Sequence, residues 1–169
     1  MDDLIYCQKQ IPKEKWRYGL RSSAATGCGW IAVYNALALM GEEPKPARII
    51  RRLLWSFPII NGNFGTFLPN IVGYFKRRGY YVNFSLRRRR FDTIGRNSDA
   101  CILFYYWHYK GAFGAHYVAL DYDEGKFTAY NSYVNSTGPE NYGSSLERFI
   151  RKRKYFFPIL IGISKTAAD

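Results

Sequence analysis

Histidine is scarce in this chain, with only two, and there are only three cysteines. No C-x-x-C or H-x-x-x-H spacing occurs, which excludes the usual structural zinc sites, and no metal or cofactor is expected. An odd number of unpaired-looking cysteines argues against a disulfide framework and fits a reducing compartment. The uncharged runs 22–41 and 53–75 are interrupted by serine, asparagine, glycine or proline, and no membrane span is expected. The acidic opening Met1-Asp2-Asp3 is followed by no signal-peptide core, so a cytoplasmic location is expected. Internal repeats and linkers are lacking too. The 169 residues read as one domain spanning 1–169, with an irregular lead-in over 1–25.

Apolar residues and positive charge, in contrast, are plentiful. Hydrophobic residues make up 47% of the chain, with 15 Tyr and 12 Phe among them, which excludes disorder and supplies a core. The net charge is +12, enough for an acidic partner, although the charge is scattered apart from two runs. Arg87 to Arg90 forms the first run; nucleic acid or acidic lipid is a conceivable partner for it, and a solvated loop is the commoner outcome. The second is Arg148, Arg151, Lys152, Arg153 and Lys154, in the last turns of an expected helix, where the dipole favours cations anyway. The aromatic stretch 105–109 carries no RNA-binding signature and reads as sheet core or cleft wall.

Periodicity predicts helices first and strands later. A helix is expected over about 28–40, with Thr26 as N-cap and Gly41 just past its end. Apolar spacing predicts a second helix over 47–55 and a third from a Thr66 cap to about Arg78, with the loop Asn61 to Gly65 between them. Tyr80 to Leu86 alternates as a strand. Ala100 to Trp107 is almost continuously apolar, as in a central strand. Residues 117–122 and 126–130 flank Asp123-Glu124-Gly125 as a hairpin. Tyr133 to Gly143 reads as a loop, Ser145 as the cap of a late helix, and Phe157 to Ile163 as a closing strand. The class is α+β with a mostly antiparallel sheet.

Chemistry is concentrated at Thr26-Gly27-Cys28-Gly29-Trp30. A cysteine in the first turn of a helix meets unpaired N–H groups and the positive dipole end, a good place to make a thiolate. The helix alone is insufficient. Moving a thiol from about 8.5 to about 5 takes roughly 5 kcal/mol, whereas a helix end supplies about 2 at most. The rest needs a cation, ordinarily an imidazolium. His116 opens the first hairpin strand and Asn131 closes the second, so pairing is expected to set them side by side, with the Asn131 amide holding the ring. His108, at the end of another strand, is the rival base. Cys7 reads as incidental and Cys101 as core. Cysteine, histidine, asparagine in that order is the arrangement of thiol acyl transfer.

With Gly27-Cys28-Gly29 on a helix, "G-A-H-Y-V-A-L-D-Y" at 114–122 and "F-T-A-Y-N-S" at 127–132, the chain resembles the papain-like cysteine peptidases. It is most similar to the bacterial branch that includes the bacteriocin leader-processing peptidases. The resemblance covers about 20–163. It implies Cys28 as nucleophile, His116 as base, Asn131 as orienting residue, and a two-layer fold with the cysteine helix packed on the sheet. One departure stands out. That family places a glutamine six residues before the cysteine to donate into the oxyanion hole, and here Ser22 occupies the position. Cys28 N–H and Ser22 are then the expected oxyanion donors, with Gln8 and Gln10 the nearest amides. A lost donor costs about 2.7–4 kcal/mol in such sites.

The expected activity is hydrolysis of a peptide or related amide, with a peptide or acyl compound as substrate. Two other readings remain open from sequence. The same thiol could transfer its acyl group to an amine. A papain-like scaffold with Ser22 and basic runs could also serve as a non-catalytic binding protein.

Overall fold

The computed structural model describes residues 4–55, 65–132 and 136–165. The loop expected from Asn61 lies outside them as far as residue 64, as does the acidic opening. The lead-in holds a 3-10 turn at Gln8–Gln10 and a short helix, α1 (Ser23–Thr26). Then come α2 (Cys28–Leu39), α3 (Pro46–Leu54) and α4 (Leu68–Lys76). Beyond β1 (Tyr81–Ser85) lies α5 (Phe91–Arg96). The remaining elements are β2 (Ala100–Tyr109), β3 (Ala112–Asp123), β4 (Lys126–Tyr130), β5 (Glu140–Gly143), α6 (Leu146–Arg153) and β6 (Phe156–Ser164).

All strand pairs are antiparallel, in the order β1-β6-β2-β3-β4-β5. Alternation along β2 explains its unbroken apolar run. Ala100 and Ile102 face a core built with α2, α3 and α4. Cys101, Leu103 and Tyr105 face a second core closed by Phe91 and Ile94 of α5 and Leu146 and Ile150 of α6. A strand buried on both sides has no polar face to show. Helices therefore cover both faces of the sheet, where the resemblance implied two layers. α5 and β5 were not expected from sequence. Six and four residues are too few to display a period, and β5 falls inside the span read as a loop.

α2 is buried from Gly29 to Leu37, as its lack of a polar face requires. Its N-cap is Gly27 rather than Thr26, which belongs to α1. Gly27 keeps right-handed helical angles, φ −80° and ψ −4°, so α1 runs almost directly into α2. The lead-in is part of the core and not an appendage. Ile11 and Tyr18 sit in the α2 cluster. Asn35 of α2 accepts the Ile5 N–H at 2.9 Å and donates to the Ile5 carbonyl at 2.9 Å. Those two bonds dock an extended segment against a helix whose own ladder is complete.

Candidate active site

Glycines on both sides of Cys28 have steric causes. A Cβ at Gly27 would collide with the Ser23 carbonyl and with Trp30, whose indole N–H donates to Ser23 Oγ at 3.0 Å. A Cβ at Gly29 would occupy the place of the Thr66 side chain. Thr66 Oγ1 donates to Tyr18 Oη at 2.8 Å, and Tyr117 Oη donates to the Thr66 carbonyl at 2.9 Å. The first turn of α2 thus rests on three buried hydroxyl groups. Tyr18 and Tyr117 both feel Cys28 electrostatically, and burial pushes Tyr18 up to about 12. Sequence reading missed Tyr18 and Thr66 because neither lies near Cys28 or His116 along the chain.

Cys28 itself is half-buried and packs against the α2 core. Its sulfur lies within hydrogen-bonding reach of the backbone N–H of Tyr117, the residue after His116, and of the N–H groups of Gly29 and Cys28. β4 ends at Tyr130, opposite Ala119. Further toward its start β3 has no strand on this side among the described residues. Burial pushes the thiol up from its ordinary range, and the three N–H groups only oppose the shift. Burial thus works against the thiolate expected at the helix end, and outweighs the N–H contacts.

His116 pairs with Tyr105 on β2, and its ring meets the Tyr105 ring edge-on at 6.1 Å. The expected pairing with Asn131 differs in detail. Glu124 and Gly125 both have positive φ, 48° and 78°, as a two-residue hairpin loop demands. The turn's centre falls between them, so Asn131 comes level with Val118, two residues from His116. Contact is nevertheless made by the main chain. Asn131 has φ +64°, a left-handed conformation that asparagine tolerates better than most residues. Its carbonyl accepts from His116 Nε2 at 2.6 Å. A carbonyl can only accept, so Nε2 carries the proton and Nδ1 of the neutral ring is left as a base. Burial lowers the His116 pKa, and the Asn131 bond opposes that shift.

The Asn131 side chain, 1% exposed, turns elsewhere. Its Oδ1 accepts the Gln8 N–H at 2.9 Å, and its Nδ2 lies 3.5 Å from Gln8 Oε1. Gln8 in turn donates from Nε2 to the Ala24 carbonyl at 3.2 Å. Ser22 lines an open cavity of about 440 Å³ with Lys13, Glu14 and Arg17, and its hydroxyl makes no cap bond to α1. His108 is exposed near the end of β2, paired with Phe113. Cys7 and Cys101 are buried, and burial pushes Cys101 to about 12. Among the described residues no cluster of His, Cys, Asp and Glu could hold a metal ion.

An aromatic ladder leads from the Cys28 face toward solvent. Phe104 packs on Tyr117 at 4.7 Å, Tyr106 meets Phe104 at 5.1 Å, and Phe113 stacks on Tyr106 at 5.5 Å. Phe157 closes the row at 6.4 Å from Tyr106. Phe113 and Phe157 are 66% and 79% exposed.

No family model and no curated protein sequence matches the chain. Solved structures do. A double glycine motif protease from an AMS/PCAT transporter, in complex with the leader peptide, superposes with TM-score 0.53 at 12% identity, covering 82% of this chain and 84% of that one. The peptidase domain of Streptococcus ComA, a bi-functional ABC transporter involved in quorum sensing, gives TM-score 0.54 at 14% identity, covering 82% and 91%. The fold is therefore the papain-like fold of double-glycine peptidase domains.

Proposed function

We propose that this protein is a cysteine peptidase in which Cys28 attacks a peptide carbonyl and His116 moves the proton. The observation that carries the proposal is the chain of contacts at the end of α2. The thiol lies against the N–H beside His116, and a carbonyl fixes the proton of that ring on its far nitrogen. In the attack the Cys28 S–H proton passes to Nδ1 of His116 as the S–C bond forms, and the carbonyl π pair moves onto oxygen. Collapse of this intermediate expels the amine, which takes the proton back from Nδ1. Water, deprotonated by the same nitrogen, then attacks the thioester; the C–S bond breaks, the acid leaves and the sulfur takes the proton back from Nδ1. Because burial raises the thiol pKa and lowers that of the imidazole, the proton in this reading moves during attack instead of resting in an ion pair.

The substrate in this reading is a peptide whose apolar side chains lie along the Phe104–Tyr106–Phe113 ladder. A likeness to a protease crystallised with its leader peptide supports that class. Iodoacetamide tests the nucleophile. Cys28 should alkylate faster than Cys7 and Cys101, and His116→Ala should remove the advantage. Equal rates in the two proteins would show that exposure alone, and no base, accounts for the reactivity. Adding hydroxylamine during peptide cleavage separates hydrolysis from acyl transfer, since a hydroxamate marks an acyl-enzyme open to amines.

A further inference from the structure

β1 is an outer strand of the sheet. β6 pairs along one side of it, and among the described residues no strand pairs along the other. We propose that this edge takes an extended acidic peptide of a partner protein as a further strand, held by the open ladder groups of β1 and by the arginines beyond its ends. The site is separate from the reaction. β6 and β2 lie between β1 and β3, so the added strand would run about 19 Å, four strand spacings, from the strand that carries His116.

An open edge is a hazard, and charged residues are one way of guarding it. Here the guard has a single sign. From Lys76 to Phe91 the chain carries seven cations and no carboxylate. Lys76, Arg77 and Arg78 precede β1, and Arg87 to Arg90 follow it. Arg78 is paired with Glu42, and Arg88 donates to the Tyr155 carbonyl. Arg87, Arg89 and Arg90 are exposed and form no ion pair with any described residue. Cations at both ends repel a second copy of the chain, because two β1 strands aligned in either direction bring arginine beside arginine. The same charges attract a strand rich in Asp or Glu.

The two faces of the edge specify a pattern. Val82 packs toward the α2 core, and Phe84, on the same side of the strand, is 48% exposed. Tyr81 and Asn83 line a cavity of about 160 Å³ together with Arg90, Thr93 and Asn97, and no carboxylate contributes to it. Successive side chains of an added strand alternate between these faces. Acidic side chains on one face would meet Arg90 and the two amides, and apolar side chains on the other would meet Phe84. The implied partner segment therefore alternates Glu or Asp with Val, Ile or Leu. In such complexes main-chain bonds give the affinity and alternate side chains the specificity.

The probe is fluorescein-Gly-Gly-Glu-Val-Glu-Val-Glu-Val-Glu amide, titrated with the whole protein and read by fluorescence anisotropy. It should bind, and more weakly as salt is raised. Arg87→Glu, Arg89→Glu and Arg90→Glu combined should weaken binding about tenfold or more, with Tm and the rate of Cys28 alkylation as in wild type. Strand addition has a signature that charge alone lacks. An edge bonds only every second residue of its partner, so a peptide N-methylated at its valines and one N-methylated at its glutamates should differ, one binding and the other not. Equal binding by those two peptides overturns the proposal, as does no binding by the wild-type protein or full affinity in the triple variant. A block peptide, Glu-Glu-Glu-Glu-Val-Val-Val, that binds as tightly overturns it too. So does an oligothymidylate of similar charge that binds more tightly and is lost in the same variant, since the arginines then serve nucleic acid. None of these outcomes bears on the chemistry of Cys28.

Discussion

A carbonyl facing Nε2 leaves His116 no choice of tautomer, and its burial leaves little tolerance for a second proton. Both point to activity that persists on the acid side. The base must be neutral to accept a proton, and its pKa lies below the ordinary 6.5, so kcat/KM for the coumarin peptide should stay level as pH falls through about 6.5 and drop only further down. With the thiol raised, no fall is expected between about pH 8 and 9. A decline there, from loss of an imidazolium, would contradict the neutral pair. That His116 and Asn131 lie together was legible from the hairpin between them. The contact of Asn131 with Gln8 was not, because the two are 123 residues apart and only folding joins them. Nor could residue types disclose that Asn131 meets His116 through its main chain. That depends on a turn centred half a residue from where Glu124 suggested.

Elements with a long period were read correctly, and short ones were invisible until placed. α2 declared itself through thirteen residues without a charge, from Cys28 to Met40, while the glycines flanking Cys28 had causes on other segments, the Ser23 carbonyl and Thr66. α5 illustrates the opposite case. Its Asp92 reaches across to the start of α6, accepting from Leu146 N at 2.7 Å, Glu147 N at 3.3 Å and Ser145 Oγ at 2.6 Å. Ser145 also caps α6 itself, accepting from Arg148 N at 3.2 Å. The sequence announced the Ser145 cap and hid the carboxylate that completes it. Asp92→Ala should cost about 1–2 kcal/mol, the range for losing a cap, and lower Tm by several degrees. Thermal unfolding followed by circular dichroism measures it; an unchanged Tm would show that water replaces the carboxylate without loss.

For the molecule as a whole, part of the +12 charge is tied into the fold. Arg88, from the middle of the arginine run, donates to the Tyr155 carbonyl at 3.1 Å and serves the fold. The ion pairs among the described residues are solvent-accessible, where such pairs contribute about 0–1 kcal/mol each. No described helix is long and apolar enough to cross a membrane. Exposed aromatics are the more distinctive surface, because single exposed apolar residues are ordinary but a connected row leading from the Cys28 face is not. Phe113→Ser should raise KM for a peptide with apolar residues upstream of its cleavage site, leaving kcat and thermal stability near wild type. A change in kcat instead would mean that the ladder shapes the reaction and not the docking. The acceptor for the imidazole has a consequence of its own. Every amino acid owns a carbonyl, so handedness of the chain and grip on a neighbour, not affinity for a ring, decide what can stand at 131. A template search that matches three side-chain types would pass over sites built in this way, and one that follows the direction of peptide planes at strand ends would catch them.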